Sequence, residues 1–382
     1  MGKRLRGEGK RCVVMTAAKA GKIVGMRLGR LSIPLKKTFK TALRSTASVL
    51  TNILEIQTDC GAVGYGEAPP TAAITGDTDG SIWDAITSRV WPAIAGMDIS
   101  ELNDAISAAE ASCVGNAPAK AAVDIALHDL WGKLNGLPLY KLLGGTAREI
   151  STDFTISLNQ PEEMANDALE ALRNGYMALK IKVGGDARLD IERLKAVREA
   201  VGPKTPLRVD ANQGWQPKEA IRSIELMENL GLDIELVEQP VPYYDIEGLK
   251  RVTDSVGTVI LADESVYSAR DALKLISLRA ADMINIKLMK SGGIAGALKI
   301  CAIAEAAGME CMIGAMMESK LSVTAAAHVA QARRVITKYD LDPPILCAED
   351  PVEGGALYAG SSITLPDAPG LGIDGIAGVE WM

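Results

Sequence analysis

Only two histidines, His128 and His328, occur in the chain, and both fall inside helical runs far from any strand end. That argues against a Ser-His-Asp hydrolase and against acid–base chemistry by a Lys/His pair, so each is expected as a packed or capping helix residue. Cysteine is sparse as well: Cys12, Cys60, Cys113, Cys301, Cys311 and Cys347 are scattered, with no C-x-x-C and no Cys/His cluster. Such spacing builds neither a disulfide framework nor a zinc site, and a reduced cytoplasmic protein is the expectation. No apolar run reaches the length of a membrane span, so no membrane partner is expected. A basic excess is missing too: the formal net charge of −7 gives no phosphate-tracking surface and no nucleic-acid partner. The GGIAG run at 292–296 has neither phosphate-loop spacing and is expected as a tight βα turn, with a carboxylate contact possible.

What is present is a large apolar core and a change of grammar part-way along the chain. With 382 residues, 48% of them hydrophobic, the chain is long for one domain and comfortable for two. Residues 1–20 are basic and Gly-rich and are expected as a disordered extension or an upstream start, with Met15 and Met26 as rival starts. From Lys22 to about Gly66 the pattern is β-like, with TDCG as a hairpin turn and KKTFKTALRSTA as a long polar loop between antiparallel strands. After Pro70 three segments carry apolar residues at helical spacing, the last with Pro118 near its start and Gly136 past its end. Strands followed by helices predict a compact α+β domain over 21–145.

Beyond Gly145 strands and helices alternate. TDFTISL, ALKIKVG, PLRVD, IELVE, VILAD, MINIK, ECMIG and TKYDLD read as eight strands, with helical segments between most of them. The fold class expected is therefore α/β: a (β/α)7β TIM-like barrel over 146–346, a variant of the eightfold barrel with the last helix missing. The Gly/Pro-rich tail, 347–382, is expected to return to the first domain and complete it as a cap.

The charged residues sit where this barrel would gather them. Lys182, Asp210, Glu238, Asp263 and Lys287 follow one another at steps of 28, 28, 25 and 24 residues, each closing a short apolar run before a polar turn. One such acid would be read as a solvated loop residue; three at matching strand ends would repel unless a divalent ion lay between them. All-oxygen donors favour Mg²⁺ or Mn²⁺ over zinc. Asn212, Gln239 and Glu264 are the candidates for orienting the three ligands. Lys180 and Lys182 share a strand face, and two ammonium groups about 7 Å apart repel by roughly 2–3 kcal/mol at an effective dielectric of about 20. A metal would add to that push and carboxylates would oppose it, so the net shift is left open. A metal flanked by two opposed lysines suits abstraction of a proton α to a carboxylate, with return to the other face: the geometry of a racemase or epimerase.

Together the KIK, DANQGW, VEQP, ADES and IKLMKSGG motifs resemble the enolase superfamily in its muconate-lactonizing subgroup, and within it the dipeptide epimerases. The resemblance covers nearly everything after the N-terminal extension, including TFKTALR, YGEAPPTAAITGDT and PLYKLLGG, with Thr38 standing where proline is expected. It implies Mg²⁺ on Asp210, Glu238 and Asp263, with Lys182 and Lys287 as the acid–base pair and Lys180 assisting. It also implies that Asp340 and Asp342, at the end of the eighth strand, hold a substrate ammonium, and that Arg44 pairs with the side-chain carboxylate of a glutamyl residue. An exposed loop arginine beside Lys36, Lys37 and Lys40 is the plainer reading of Arg44. Met317 stands where another apolar pocket residue is expected and bears on the N-terminal residue of the substrate.

The implied function is Mg²⁺-dependent epimerisation of the C-terminal residue of a dipeptide, L-Ala-D/L-Glu first, through an enediolate, in salvage of cell-wall peptides by a homo-oligomer. Hydrophobic or cationic dipeptides are the alternatives for the same chemistry. A cycloisomerase or o-succinylbenzoate synthase-type lyase, or a scaffold that keeps only the fold, are the alternatives from other classes. The Asp340/Asp342 pair would repel the anionic substrates of such a lyase.

Overall fold

The computed structural model describes residues 21–382, so the expectation for 1–20 lies outside the described residues. Strands Ile23–Lys40, Ser45–Thr58 and Val63–Ala68 form an antiparallel sheet, and Glu380–Trp381 from the end of the chain pairs with the outer side of the first strand. The tail thus adds a fourth strand to the N-terminal sheet. TDCG turns the second strand into the third, with Gly61 at a φ of +84° that only glycine adopts readily. Gly66 is required for another reason: a Cβ there would lie 1.9 Å from the Ala122 carbonyl oxygen, because the third strand lies directly on helix Ala117–Asn135.

One expectation is corrected. KKTFKTALRSTA is not a long loop: the first strand continues to Lys40, the second begins at Ser45, and only 41–44 turn. The ladder slips between Pro34 and Phe39, then resumes with Phe39 opposite Thr46 and Lys40 opposite Ser45. This stretch has no alternating apolar face to betray it as a strand, because its partner is the polar rim of the barrel. Lys40 N–H donates to Ser157 Oγ at 2.7 Å and Leu158 N–H to the Lys40 carbonyl at 3.0 Å. Lys37 Nζ reaches Asp167 at 2.8 Å and Glu170 at 3.1 Å.

The eight predicted barrel strands are all present, each parallel to its neighbours and in sequence order from Phe154–Ile156 to Ile336–Asp340. Between the first and the eighth there is no regular ladder. The seam is closed by Asp153 N–H to Tyr339 O (3.1 Å), Leu341 N–H to Thr152 Oγ1 (2.8 Å) and Thr155 N–H to Asp342 Oδ2 (2.7 Å). No long helix follows the eighth strand. A single turn, Pro343–Leu346, leads into the tail, whose hairpin Leu357–Ala359/Ser362–Thr364 pairs with Ile150–Ser151. Among the described residues no helix is long and apolar enough to cross a membrane.

Buried carboxylates dock the cap on the barrel. Helix Ile294–Ala307 starts with free N–H groups, and Asp124 of the cap accepts from Ile294 N at 2.5 Å. Helix Lys320–Ala332 is met in the same way by Glu67, which accepts from Ser319 N (2.7 Å), Ser319 Oγ (2.7 Å) and Ser322 N (3.0 Å). The GGIAG turn is thus the place where Asp124 of the cap meets the barrel.

His328, buried in helix Lys320–Ala332, joins the same interface from the barrel side. Its Nδ1 accepts from Tyr140 N–H at 3.0 Å, which puts the proton on Nε2, 3.5 Å from the Leu371 carbonyl. Burial pushes its pKa down to about 4 from an ordinary 6.5, against a small opposing pull from Leu371. A depressed histidine stabilises the fold fully above pH 6.5, and that contribution is lost as pH falls through the folded value. In urea titrations the stability gap between wild type and His328→Gln should narrow by roughly 3 kcal/mol between pH 7 and pH 4. A gap independent of pH would contradict this account.

Candidate active site

Parallel pairing sets the candidate residues side by side. Lys182 is in register with Asp210 and Asp210 with Glu238, so three neighbouring strands end on a charged group at the same level. Asp263 follows the next strand, and Lys287 ends the one after, four strands from Lys182 and so across the barrel mouth from it. Side chains alternate along a strand, so Lys180 shares the inner face with Lys182, and Asn285 with Lys287.

Every one of these charges is buried, and each has a partner. Lys180 Nζ sits among Glu238 Oε2 (2.7 Å), Asp340 Oδ2 (2.7 Å) and Asp210 Oδ2 (3.0 Å). Lys182 Nζ reaches that same Asp210 oxygen at 2.6 Å, and Lys287 Nζ reaches Asp263 Oδ2 at 2.7 Å. Burial alone would lower Lys180 and Lys287, but Asp340 and Glu238 around the first and Asp263 beside the second raise both above the ordinary value. The acids divide: burial works to raise Asp210, yet Lys182 and Lys180 pull it down to about 2, whereas burial and the nearby Asp210 push Glu238 up to about 8.

The three residues expected to orient the acids meet them through different atoms. Asn212 holds Asp210 by its backbone N–H (2.8 Å to Oδ1), while its side chain faces Glu264 at 3.4 Å. Gln239 holds the turn that carries Asp263, its Oε1 accepting from Asp263 N (2.9 Å) and Ser265 N (3.2 Å). Two further residues hold Glu238 and Asp263 by their side chains. Asn285 Nδ2 donates to Glu238 Oε1 at 2.9 Å, and Lys290 Nζ lies 2.5 Å from Asp263 Oδ1 and donates to the Asp263 carbonyl. Asn285 was readable in MINIK, two residues before Lys287 on one strand face.

Among the described residues no three acidic, histidine or cysteine side chains stand as a closed metal cage, because ammonium groups lie between the acids. The donor set nonetheless fits a hard divalent cation. It is all oxygen and buried, and Glu238 Oε2 and Asp263 Oδ1 accept no properly directed hydrogen bond despite their close ammonium neighbours.

The cleft above these groups is walled by the turn at 41–44, by Met316 and Met317 after the seventh strand, and by Asp340 and Asp342 after the eighth. The two aspartates part company: Asp340 faces Lys180, whereas Asp342 spends Oδ2 on Thr155 N–H across the seam. Burial and Asp340 push Asp342 up to about 7. Arg44 is half-buried in the cleft wall, not an exposed loop residue, and among the described residues its guanidinium has no carboxylate partner; burial lowers its pKa. Phe39 and Thr155 also line the cleft and carried no mark in the sequence.

Residues 26–144 match the mandelate racemase/muconate lactonizing enzyme N-terminal domain and residues 163–375 the enolase C-terminal domain-like family. An L-Ala-D/L-Glu epimerase of Clostridium acetobutylicum is 56% identical over 91% of this chain and 98% of its own length. The substrate-liganded L-Ala-D/L-Glu epimerase of Bacillus subtilis superposes with a TM-score of 0.92 at 50% identity, covering 93% of this chain and 99% of that one. The dipeptide epimerase of Enterococcus faecalis V583, complexed with Mg and L-Leu-L-Tyr, gives 0.90 at 44% identity, covering 93% and 100%. A chain matched at both domains and along nine-tenths of its length belongs to the mandelate racemase/muconate lactonizing enzyme family of the enolase superfamily.

Proposed function

We propose that the chain is an isomerase that epimerises the C-terminal residue of a dipeptide, L-Ala-D/L-Glu first, with Mg²⁺ as cofactor. The observation that carries this is the pair Lys182 and Lys287, which end strands on opposite sides of one buried mouth. A proton taken by one amine and returned by the other inverts the carbon between them. The relatives described above act on dipeptides, and in one of them Mg is bound. Mg²⁺, when bound by Asp210, Glu238 and Asp263, supplies positive charge that favours the enediolate form of the substrate carboxylate. Lys180, wedged between Asp340 and the acids, keeps the charge of this cluster balanced and so assists both amines.

Recognition of the substrate ends is assigned to the cleft walls. Asp340 and Asp342 take the ammonium group, which disfavours a cycloisomerase or lyase with purely anionic substrates. Arg44 takes the side-chain carboxylate, for which its lack of an acidic partner among the described residues is the support. Met317, buried at the seventh strand end, shapes the remaining apolar wall. The division into a cap over 21–145 and 347–382 and a barrel over 146–346 belongs to the same proposal. So do a cytoplasmic setting, supported by the free thiols of Cys301, Cys311 and Cys347, and a part in cell-wall peptide salvage. Self-association is included too, and the exposed Tyr243–Tyr244 pair is the surface that supports it.

Solvent-deuterium incorporation into L-Ala-L-Glu, read by mass spectrometry with Mg²⁺ present, is the primary test. Lys182→Ala and Lys287→Ala should each lower epimerisation by roughly 10³-fold, while one of the two still exchanges the α-proton of a single epimer. Exchange of both epimers in both variants would remove the two-amine mechanism.

Arg44→Ala should lower kcat/KM for L-Ala-L-Glu by roughly 10²-fold through KM, with a much smaller effect on a dipeptide whose C-terminal side chain is apolar. Equal losses on both substrates would detach Arg44 from the glutamyl carboxylate.

Asp342→Asn keeps an oxygen for Thr155 N–H but loses the charge. Melting temperature should hold while dipeptide turnover drops by roughly 10²-fold; full activity would refute the ammonium assignment.

A further inference from the structure

The missing eighth helix leaves a space outside the barrel. Where it would pack, over the seam between the first and eighth strands, lies a cavity with about 480 Å³ of room, against about 50 Å³ in the cleft itself. Its floor is aromatic: Phe154 and Tyr176 pack with ring centroids 4.7 Å apart and planes tilted by 48°, and Tyr358 closes the far side, its hydroxyl fixed on the Leu341 carbonyl at 2.8 Å. The charged groups at the rim are engaged, Lys37 with Asp167 and Glu170 and Lys36 with the Ile345 carbonyl at 2.8 Å, so no unpaired acid solicits a cationic guest.

Cavity and cleft share three wall residues, Phe39, Thr155 and Leu346. Asp342 stands at that border, bonded to Thr155 N–H. A residue whose ammonium is held by Asp340 and Asp342 has its own side chain on the carbon next to that ammonium, and hence beside the seam.

We infer that this cavity is a subsite for the N-terminal side chain of the dipeptide, and that it admits large apolar and aromatic residues there. The inference rests on the dipeptide-epimerase reading and extends it from alanine to a substrate class. Burial of an aromatic ring against Phe154, Tyr176 and Tyr358 is the driving force, and the rigid barrel wall keeps the α-carbon of the second residue between the lysines.

The test compares kcat/KM for L-Phe-L-Glu and L-Ala-L-Glu in the Mg²⁺-loaded full chain and in variants that fill the cavity from helix Pro161–Arg173 and its end. In wild type the two substrates should lie within roughly tenfold of each other. Ala171→Phe should lower the Phe/Ala ratio by roughly tenfold or more, chiefly through KM. Asn174→Trp, at an exposed position on the rim, should move it the same way and guards against misfolding of the first variant. Turnover of L-Ala-L-Glu with none of L-Phe-L-Glu, or a ratio unmoved in both folded variants, would overturn the subsite alone. No exchange on any dipeptide would overturn the epimerase reading with it.

Discussion

Charge balance at the barrel mouth is the constraint on which the rest depends. Lys180, Lys182, Lys287 and Lys290 are buried together with Asp210, Glu238, Asp263 and Asp340, in a place where any one of them alone would cost several kcal/mol. Stripping one partner leaves its neighbour uncompensated, so the cluster exists as a whole or not at all. A parallel barrel is the scaffold that allows it. Strands of equal register deliver one charged end each to a common level, and the residue two positions below, as with Lys180 under Lys182, supplies the counter-charge for a neighbour. The mixed protonation tendencies follow from this crowding: Asp210, with two ammonium groups on one oxygen, is held ionised, whereas Glu238, closed in beside Asp210, is pushed toward the neutral acid.

The same economy of buried charge fixes the cap. A helix start inside a protein presents N–H groups that water cannot reach, and in this chain two barrel helices find their acceptors on the other domain. Asp124 and Glu67 are thereby satisfied, and the cap cannot slide without exposing both. This attachment lies on the side of strands six and seven. The turn at 41–44, which carries Arg44, is tied instead by Lys37 and Lys40 to the first barrel strand and its helix, through contacts open to solvent. The Arg44 end of the cleft is therefore closed by the weaker of the two attachments, where exposed ion pairs contribute little.

How much of this was legible follows from periodicity. The eight strands and their inward charges could be read because alternation and a repeating step mark them, and Asn285 was available from the same rule although the motif drew attention to Lys287. The strand through Lys36–Lys40 was not legible, since its polar faces meet a polar rim and leave no amphipathic trace. Nor was the split of Asp340 and Asp342: i, i+2 spacing aims both along one face, but the open seam draws Asp342 to Thr155, a partner 187 positions away in the chain. Lys290, three residues after Lys287, lies off the strand-face rule: the helical turn that follows the strand carries it back against Asp263.

The seam links the separate parts of the site. Seven of the eight barrel joints are backbone ladders, and the eighth is held largely by side chains, among them a carboxylate that also faces the cleft. A helix packed over that joint would have filled the outside space and left the cleft without a neighbouring cavity. Without it, the hairpin of the tail and the first strand of the cap enclose the space at a distance, so its volume depends on two segments that the barrel does not itself dictate. Changes at Thr38, Phe39, Tyr358 or Gly360 can alter what fits there without moving a lysine or an acid. The fold thus keeps the buried lysines and acids on rigid strand ends, and it leaves the space beside them to the loops around the one joint that lacks a full ladder.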